Sequence, residues 1–357
     1  MHERRLAALL ITHLPNVRYL CGFTGSAGVL AVRSTGSPVL FTDGRYTQQA
    51  EEEVKAAKVV IVKSAALAAA ADWLVKKRKV ETIGIEAEHL SVAARAHLTQ
   101  SAVGTKLKST SGFVEELRMV KEPPEIDQIR AAVKLASTVF DAVLPDIKPG
   151  VTERRIAAEI EYMCRRLGAE GMAFDTLVAS GARSALPHGR ASEAKLPTGG
   201  FVVIDFGVIL GGYCSDMSRT VHLGKPDTRS RMMYEAVLGA QEAGIKAVKP
   251  GALPEEVDYT ARKMLVNDGL GKYFTHSTGH GVGLEIHEPP SLRKGNQSSK
   301  QSRRKSPKGT LKTGMVITIE PGAYIPGRGG VRIEDMVVVT DRGCEVLTPT
   351  RKDLIVI

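Results

Sequence analysis

Apolar positions come in short β-rich runs through the first third of the chain. Runs at 27–32, 38–42, 58–62 and 82–86 predict strands, and Leu6 to Ile11 predicts a first strand ahead of them. Helical spacing at 65–77 and 91–100 predicts helices between the later strands. Interleaving of this kind makes a modest α/β domain. Pro123-Pro124 then breaks the pattern and sets a boundary near residue 120. Beyond it Ile126, Ile129, Val133, Ala136, Phe140 and Val143 recur at helical spacing, so one face of that helix is buried. Pro149-Gly150 ends the segment, and Thr152 is a fitting N-cap for a second helix that stops at Gly168. Helices are also predicted at 230–248 and 254–267, and strands at 201–210, 213–223, 315–320 and 331–340. Long helices on a mostly antiparallel sheet define an α+β domain. The expected organisation is therefore a first domain over 1–120 and a larger one over 121–357.

Composition changes this picture little. With 357 residues, 43% hydrophobic and 25% charged, the chain can bury two cores. No stretch reaches the ~20 apolar residues that cross a bilayer. The apolar run after Arg4-Arg5 is short and broken by His13 and Pro15, with no small-residue cleavage site following, so it reads as a strand rather than a signal peptide. Cys21, Cys164, Cys214 and Cys344 are scattered, which fits a cytoplasmic enzyme with reduced thiols. The net charge of +10 raises the question of nucleic acid. Seven basic residues and no acid lie in 293–308, and without them the charge falls to +3. The basicity is a local, Ser- and Gln-rich stretch that reads as a solvated loop, so a nucleic-acid partner is not expected.

The chemistry concentrates in the second domain. Phe201 to Asp216 reads as a hairpin with Gly211-Gly212 at its turn. Pairing Leu210 with Tyr213 and counting back sets Asp205 opposite Ser218. Asp205 and Asp216 are then diagonal neighbours on one face, roughly 7–8 Å apart, where their carboxylates could share a cation. The competing reading is two solvent-facing aspartates on an edge hairpin. Next comes His276-Ser-Thr-Gly-His280-Gly-Val-Gly-Leu-Glu-Ile-His287, three histidines within twelve positions of a chain that has nine. Gly279, Gly281 and Gly283 would let this backbone pass close to something, such as a substrate. Glu320 and Glu334 each flank a β-rich run, though an ion pair with Arg332 could account for either.

Taken together, these residues resemble the pita-bread metallopeptidases. Asp205, Asp216, His280, Glu320 and Glu334 match, in order and context, that superfamily's five metal ligands. Ser180-Gly-Ala-Arg183-Ser-Ala-Leu-Pro187-His188-Gly, Asp205-Phe-Gly, Ser277-Thr-Gly-His280-Gly-Val-Gly-Leu, Ile319-Glu-Pro-Gly and Val331-Arg-Ile-Glu-Asp are similar to the prolidase and aminopeptidase P branch. Leu14-Pro-Asn-Val-Arg-Tyr19-Leu, Gly22-Phe-Thr-Gly-Ser-Ala and Thr42-Asp-Gly-Arg-Tyr46 resemble the creatinase-type N-terminal domain of that branch. Relatives usually carry a helix before the first strand, so the start reads as shortened. The stretch 293–308 reads as an insert.

The resemblance implies a pita-bread catalytic domain behind a creatinase-type domain, and hydrolysis of the Xaa-Pro bond at the N-terminus of a small peptide. It implies two divalent ions that activate a water. Asp205 would hold one and His280 with Glu320 the other, with Asp216 and Glu334 bridging. Four carboxylates and one imidazole suit Mn²⁺ or Co²⁺ and tolerate Zn²⁺. Glu320 would also shuttle the proton, His188 and His287 would donate to developing negative charge, and His276 and Arg332 would contact substrate. A homodimer is expected by the same resemblance. The alternatives are an aminopeptidase acting on longer Xaa-Pro peptides and, more remotely, a non-catalytic pita-bread binding module.

Overall fold

The computed structural model describes residues 1, 6–78, 80–294 and 309–357. It forms two compact units, Met1–Arg118 and Met119–Ile357. The basic stretch 293–308 lies, from residue 295 on, outside the described residues.

The first unit is a six-stranded mixed sheet of β1 (Ala8–Ile11), β2 (Val29–Arg33), β3 (Val39–Asp43), β4 (Lys58–Val62), β5 (Thr82–Glu86) and β6 (Lys106–Thr110). Its order is β4-β3-β2-β1-β5-β6. Helix Thr47–Glu53 carries the parallel crossover from β3 to β4, and Val92–Ser101 that from β5 to β6. Alternate strand residues enter opposite cores: Leu10, Ala31, Phe41 and Ile83 pack on one face, Leu9, Ile11, Leu30 and Leu40 on the other.

The second unit is α+β, as its spacing predicts. Glu122 and Glu125 form a capping box at the start of helix Pro123–Val143, and the Thr152 hydroxyl accepts from Arg155 N to cap Glu153–Arg166. Ile160, Ala136, Val139 and Phe140 of these helices bury against Val178, Val202, Ile204 and Val221 of the strands, each full burial worth ~1.5–3 kcal/mol for a Val, Leu, Ile or Phe. The strands are β7 (Gly171–Met172), β8 (Leu177–Ser180), β9 (Gly200–Phe206), β10 (Val208–Leu210), β11 (Tyr213–Cys214) and β12 (Met217–Leu223), followed by β13 (Gly279–Gly281), β14 (Glu288–Leu292), β15 (Val316–Ile319), β16 (Gly322–Ile325), β17 (Gly329–Arg332), β18 (Asp335–Val339), β19 (Cys344–Val346) and β20 (Ile355–Val356). One sheet runs β20-β12-β9-β8 and a second β14-β13-β15-β18-β19. Helices Thr228–Ala247 and Pro254–Asn267 share a core with Phe201, Ala323, Val331 and Ile333.

Three long strands expected from the apolar pattern are each broken. The hairpin arms part at Gly207, where a Cβ would stand 1.8 Å from the Ser215 carbonyl oxygen, and at Ser215-Asp216 opposite. The run 331–340 is interrupted at Ile333-Glu334. Glu334 N donates to Ser218 O across to β12 instead of continuing a ladder. Each break lies at or beside a carboxylate of the candidate site.

Candidate metal centre

Five segments bring the chemistry together. Gly211 (φ 57°) and Gly212 (φ 77°) make the left-handed turn that fixes the hairpin, and the register then pairs Leu210 with Tyr213 and Asp205 with Ser218. Asp205 and Asp216 are buried, not solvent-facing on an edge. His280 is the central residue of β13, Glu320 follows β15, and Glu334 sits in the gap between β17 and β18. His280 Nε2 lies 3.5 Å from Asp216 Oδ2 and 3.6 Å from Glu320 Oε1. A ligand atom from each of Asp216, His280 and Glu334 falls within 4.8 Å of the others.

The glycines around His280 bring the backbone close against protein neighbours. A Cβ on Gly279 would be 1.9 Å from Thr318 O and one on Gly281 2.3 Å from Pro289 O, so these positions let β13 lie against its protein neighbours. Upstream, Arg262 donates to the carbonyls of Phe274 and His276, and Asp258 accepts from Thr278 N and Oγ1. Helix Pro254–Asn267 thereby fixes the segment that delivers His276 and His280.

Arg332 departs from expectation. It pairs with neither Glu334 nor open solvent: its side chain is 4% exposed and its Nη2 donates to Asp205 Oδ2 at 2.6 Å. Nε donates to Ser218 Oγ, and Nη1 to Pro187 O and Tyr324 OH. These partners engage Nε, Nη1 and Nη2 within the site. Ser218 Oγ in turn donates to Glu334 Oε2, so one serine joins both halves of the site. Tyr324, which nothing in the sequence marked, donates to His276 Nε2 because His276 Nδ1 faces the Ser277 carbonyl. Its only signal was a position four residues after Glu320. His287 stacks edge-on to His280 with ring centroids 4.4 Å apart, and both His188 and His287 are exposed.

Comparison with known proteins agrees with this geometry. The model of metallopeptidase family M24 matches residues 127–341, and that of the Creatinase/Prolidase N-terminal domain matches residues 1–120. The chain belongs to metallopeptidase family M24. An Xaa-Pro dipeptidase of Pyrococcus furiosus is 38% identical over 99% of this chain and 97% of its own. A solved Xaa-Pro dipeptidase from Bacillus anthracis is 39% identical, covering 100% of this chain and 96% of its own with a TM-score of 0.93. An X-Pro aminopeptidase structure from Thermotoga maritima is 36% identical over 99% and 98%, with a TM-score of 0.89.

For this M24 metallopeptidase the electrostatics test whether divalent ions fit. Burial and then the neighbouring carboxylates, Glu334 and Asp205 first, hold the Asp216 carboxyl well above its usual range. Glu334 is raised for the same reasons, burial first and then Glu320 and Asp205. Glu320 is pushed up to about 8, mainly by burial. Burial lowers His280 to about 4, so its imidazole is neutral; with Nδ1 against the Gly281 carbonyl, the Nε2 lone pair faces Asp216 and Glu320. Among the described residues, Asp205 Oδ1 is buried and has no hydrogen-bond partner. Crowded carboxylates, an aimed lone pair and an orphaned oxygen are what divalent cations would compensate. The residues fit such ions.

Proposed function

We propose that this metallopeptidase is an Xaa-Pro dipeptidase whose Asp205, Asp216, His280, Glu320 and Glu334 hold two divalent ions, Mn²⁺ by preference. The observation that supports this is the approach of Asp216, His280 and Glu334 to within 4.8 Å of one another, with Glu320 3.6 Å from His280 Nε2 and, among the described residues, no hydrogen-bond partner for the buried Asp205 Oδ1. Four carboxylates balance two divalent charges and favour hard ions over a thiolate-type site. The Xaa-Pro specificity rests on the named relatives that match nearly the whole chain.

Bound divalent ions supply Lewis acidity, which lowers the pKa of a water and polarises a carbonyl. The chain's own groups do the rest. Glu320, the member of the cluster beside both His276 and His280, takes the proton from water and passes it to the departing nitrogen. That nitrogen is tertiary in an Xaa-Pro bond and has no N–H to bind, so the site must recognise shape rather than a donor. His188 and His287 donate to the oxygen as it gains charge. Arg332 holds Asp205 in place and fixes Tyr324, whose hydroxyl orients His276.

We also place the enzyme in the cytoplasm, in keeping with four free cysteines, and expect a homodimer. Among the described residues no helix is long and apolar enough to cross a membrane. A second reading, an aminopeptidase on longer Xaa-Pro peptides, draws on the name of the Thermotoga maritima relative, against the dipeptidases that match as fully. The test compares kcat/KM of the Mn²⁺-loaded enzyme on an Xaa-Pro dipeptide, an Xaa-Pro-Yaa tripeptide and matched alanine peptides. Preference for the dipeptide is expected; preference for the tripeptide selects the second reading, and equal rates on alanine peptides sink both.

A further inference from the structure

A buried ion pair closes the loop that carries His287. Lys121 Nζ stands 3.0 Å from Glu288 Oε2, with the two side chains 1% and 3% exposed. The loop between β13 and β14 runs over 282–287, and Glu288 is the residue at which it re-enters the sheet, opposite Gly281. The Glu288 carboxylate is turned back into that loop. Its Oε1 accepts from Glu285 N at 3.1 Å, and its Oε2 lies 2.6 Å from where a Cβ of Gly283 would be. Gly283 N donates to Glu285 O, and Gly283 O accepts from Cys214 N. The carboxylate therefore fills the inside of the loop, and Lys121 supplies its counter-charge. Lys121 is itself anchored, its N donating to Gly314 O just ahead of β15. His287 needs such help: its ring makes no hydrogen bond to the described residues, so the loop backbone sets where it points.

We infer that Lys121 and Glu288 are positioning residues that hold His287 over the metal-ligand cluster, an inference that rests on the role proposed for His287. A buried pair of this kind is weak as a source of stability, because two apolar residues of similar volume often serve as well. Its geometry is demanding, and small misplacements of a reacting group can cost a hundredfold in rate.

The experiment uses Lys121→Met and the double variant Lys121→Met/Glu288→Leu, each purified, reloaded with Mn²⁺ and checked for metal content and a cooperative melt. Lys121→Met is expected to keep the parent's metal content and to lose ~10–100-fold in kcat on an Xaa-Pro dipeptide while KM changes by less than about threefold. In a His287→Ala background the same substitution should cost nothing further, because the group it positions is gone. Should loss of the Lys121 charge prevent Lys121→Met from folding, the double variant removes the Glu288 carboxylate as well and is read in the same way. A folded, metal-loaded variant with parental kcat overturns the inference, as does a loss that adds in full to that of His287→Ala. If His287→Ala itself keeps full kcat, the proposed role of His287 falls and the inference with it. A slow His287→Ala beside a parental Lys121→Met sinks the inference alone.

Discussion

Removing divalent ions should make this protein less stable as the pH rises from 6.5 to 8, and restoring them should cancel the trend. The reason lies in the raised carboxyls. Glu320 titrates at about 8 in the folded chain against 4.5 for the free side chain, so between those values the folded state holds a proton that the unfolded state has released. Its contribution is complete below 4.5 and lost as pH passes 8, with a slope of about −1.4 kcal/mol per unit in between. Asp216 and Glu334 are displaced in the same direction. His276 and His280 act oppositely, because burial lowers each to about 4 from 6.5 and they destabilise the fold as pH falls below 6.5. The clean window therefore starts at 6.5, and Glu320 alone loses about 2 kcal/mol across it. Mn²⁺ present at a thousand times its dissociation constant adds about 4 kcal/mol, and more at higher pH because its ligands must be ionised. The assay is denaturant unfolding followed by far-UV circular dichroism at several pH values, with chelator or with Mn²⁺. The single tryptophan, Trp73, belongs to the first unit and serves as an internal reference for it. A chelated protein whose stability is flat or rises from 6.5 to 8 would refute the reasoning, as would Glu320→Gln leaving the slope unchanged.

Other expectations follow from single contacts. Asp216→Asn should lower metal content measured by elemental analysis, whereas His287→Ala should keep the metals and reduce kcat by ~10²-fold or more. Ser218→Ala deprives Arg332 Nε of an acceptor and Glu334 of a donor, and should cost ~1–3 kcal/mol in unfolding experiments while weakening Mn²⁺ binding in a titration. Deleting 296–308 should leave turnover of a small substrate nearly unchanged, since loop length costs only about 0.6 kcal/mol per doubling; a large fall in kcat/KM would place that stretch at the active site.

Much of this protein was legible in the order of its residues. The α+β class, the capped helices and the hairpin register are local matters, decided by spacing, caps and a two-glycine turn. Counting from Leu210 and Tyr213 set Asp205 opposite Ser218 because strand pairing advances one residue at a time on each side. The residue types at the site were legible too, since hard donors on short motifs keep their order along the chain. Tertiary structure decided what those motifs face. Arg332 meets Asp205 across 127 positions, and Lys121 meets Glu288 across 167. Sequence spacing is silent on such pairs, because they follow from how two sheets and their helices pack. The same holds for the strands against which Gly279 and Gly281 lie, and for the breaks at Gly207 and Ile333-Glu334. An apolar run predicts a strand from burial alone, and only the packed molecule shows where a carboxylate turns that strand out of its ladder.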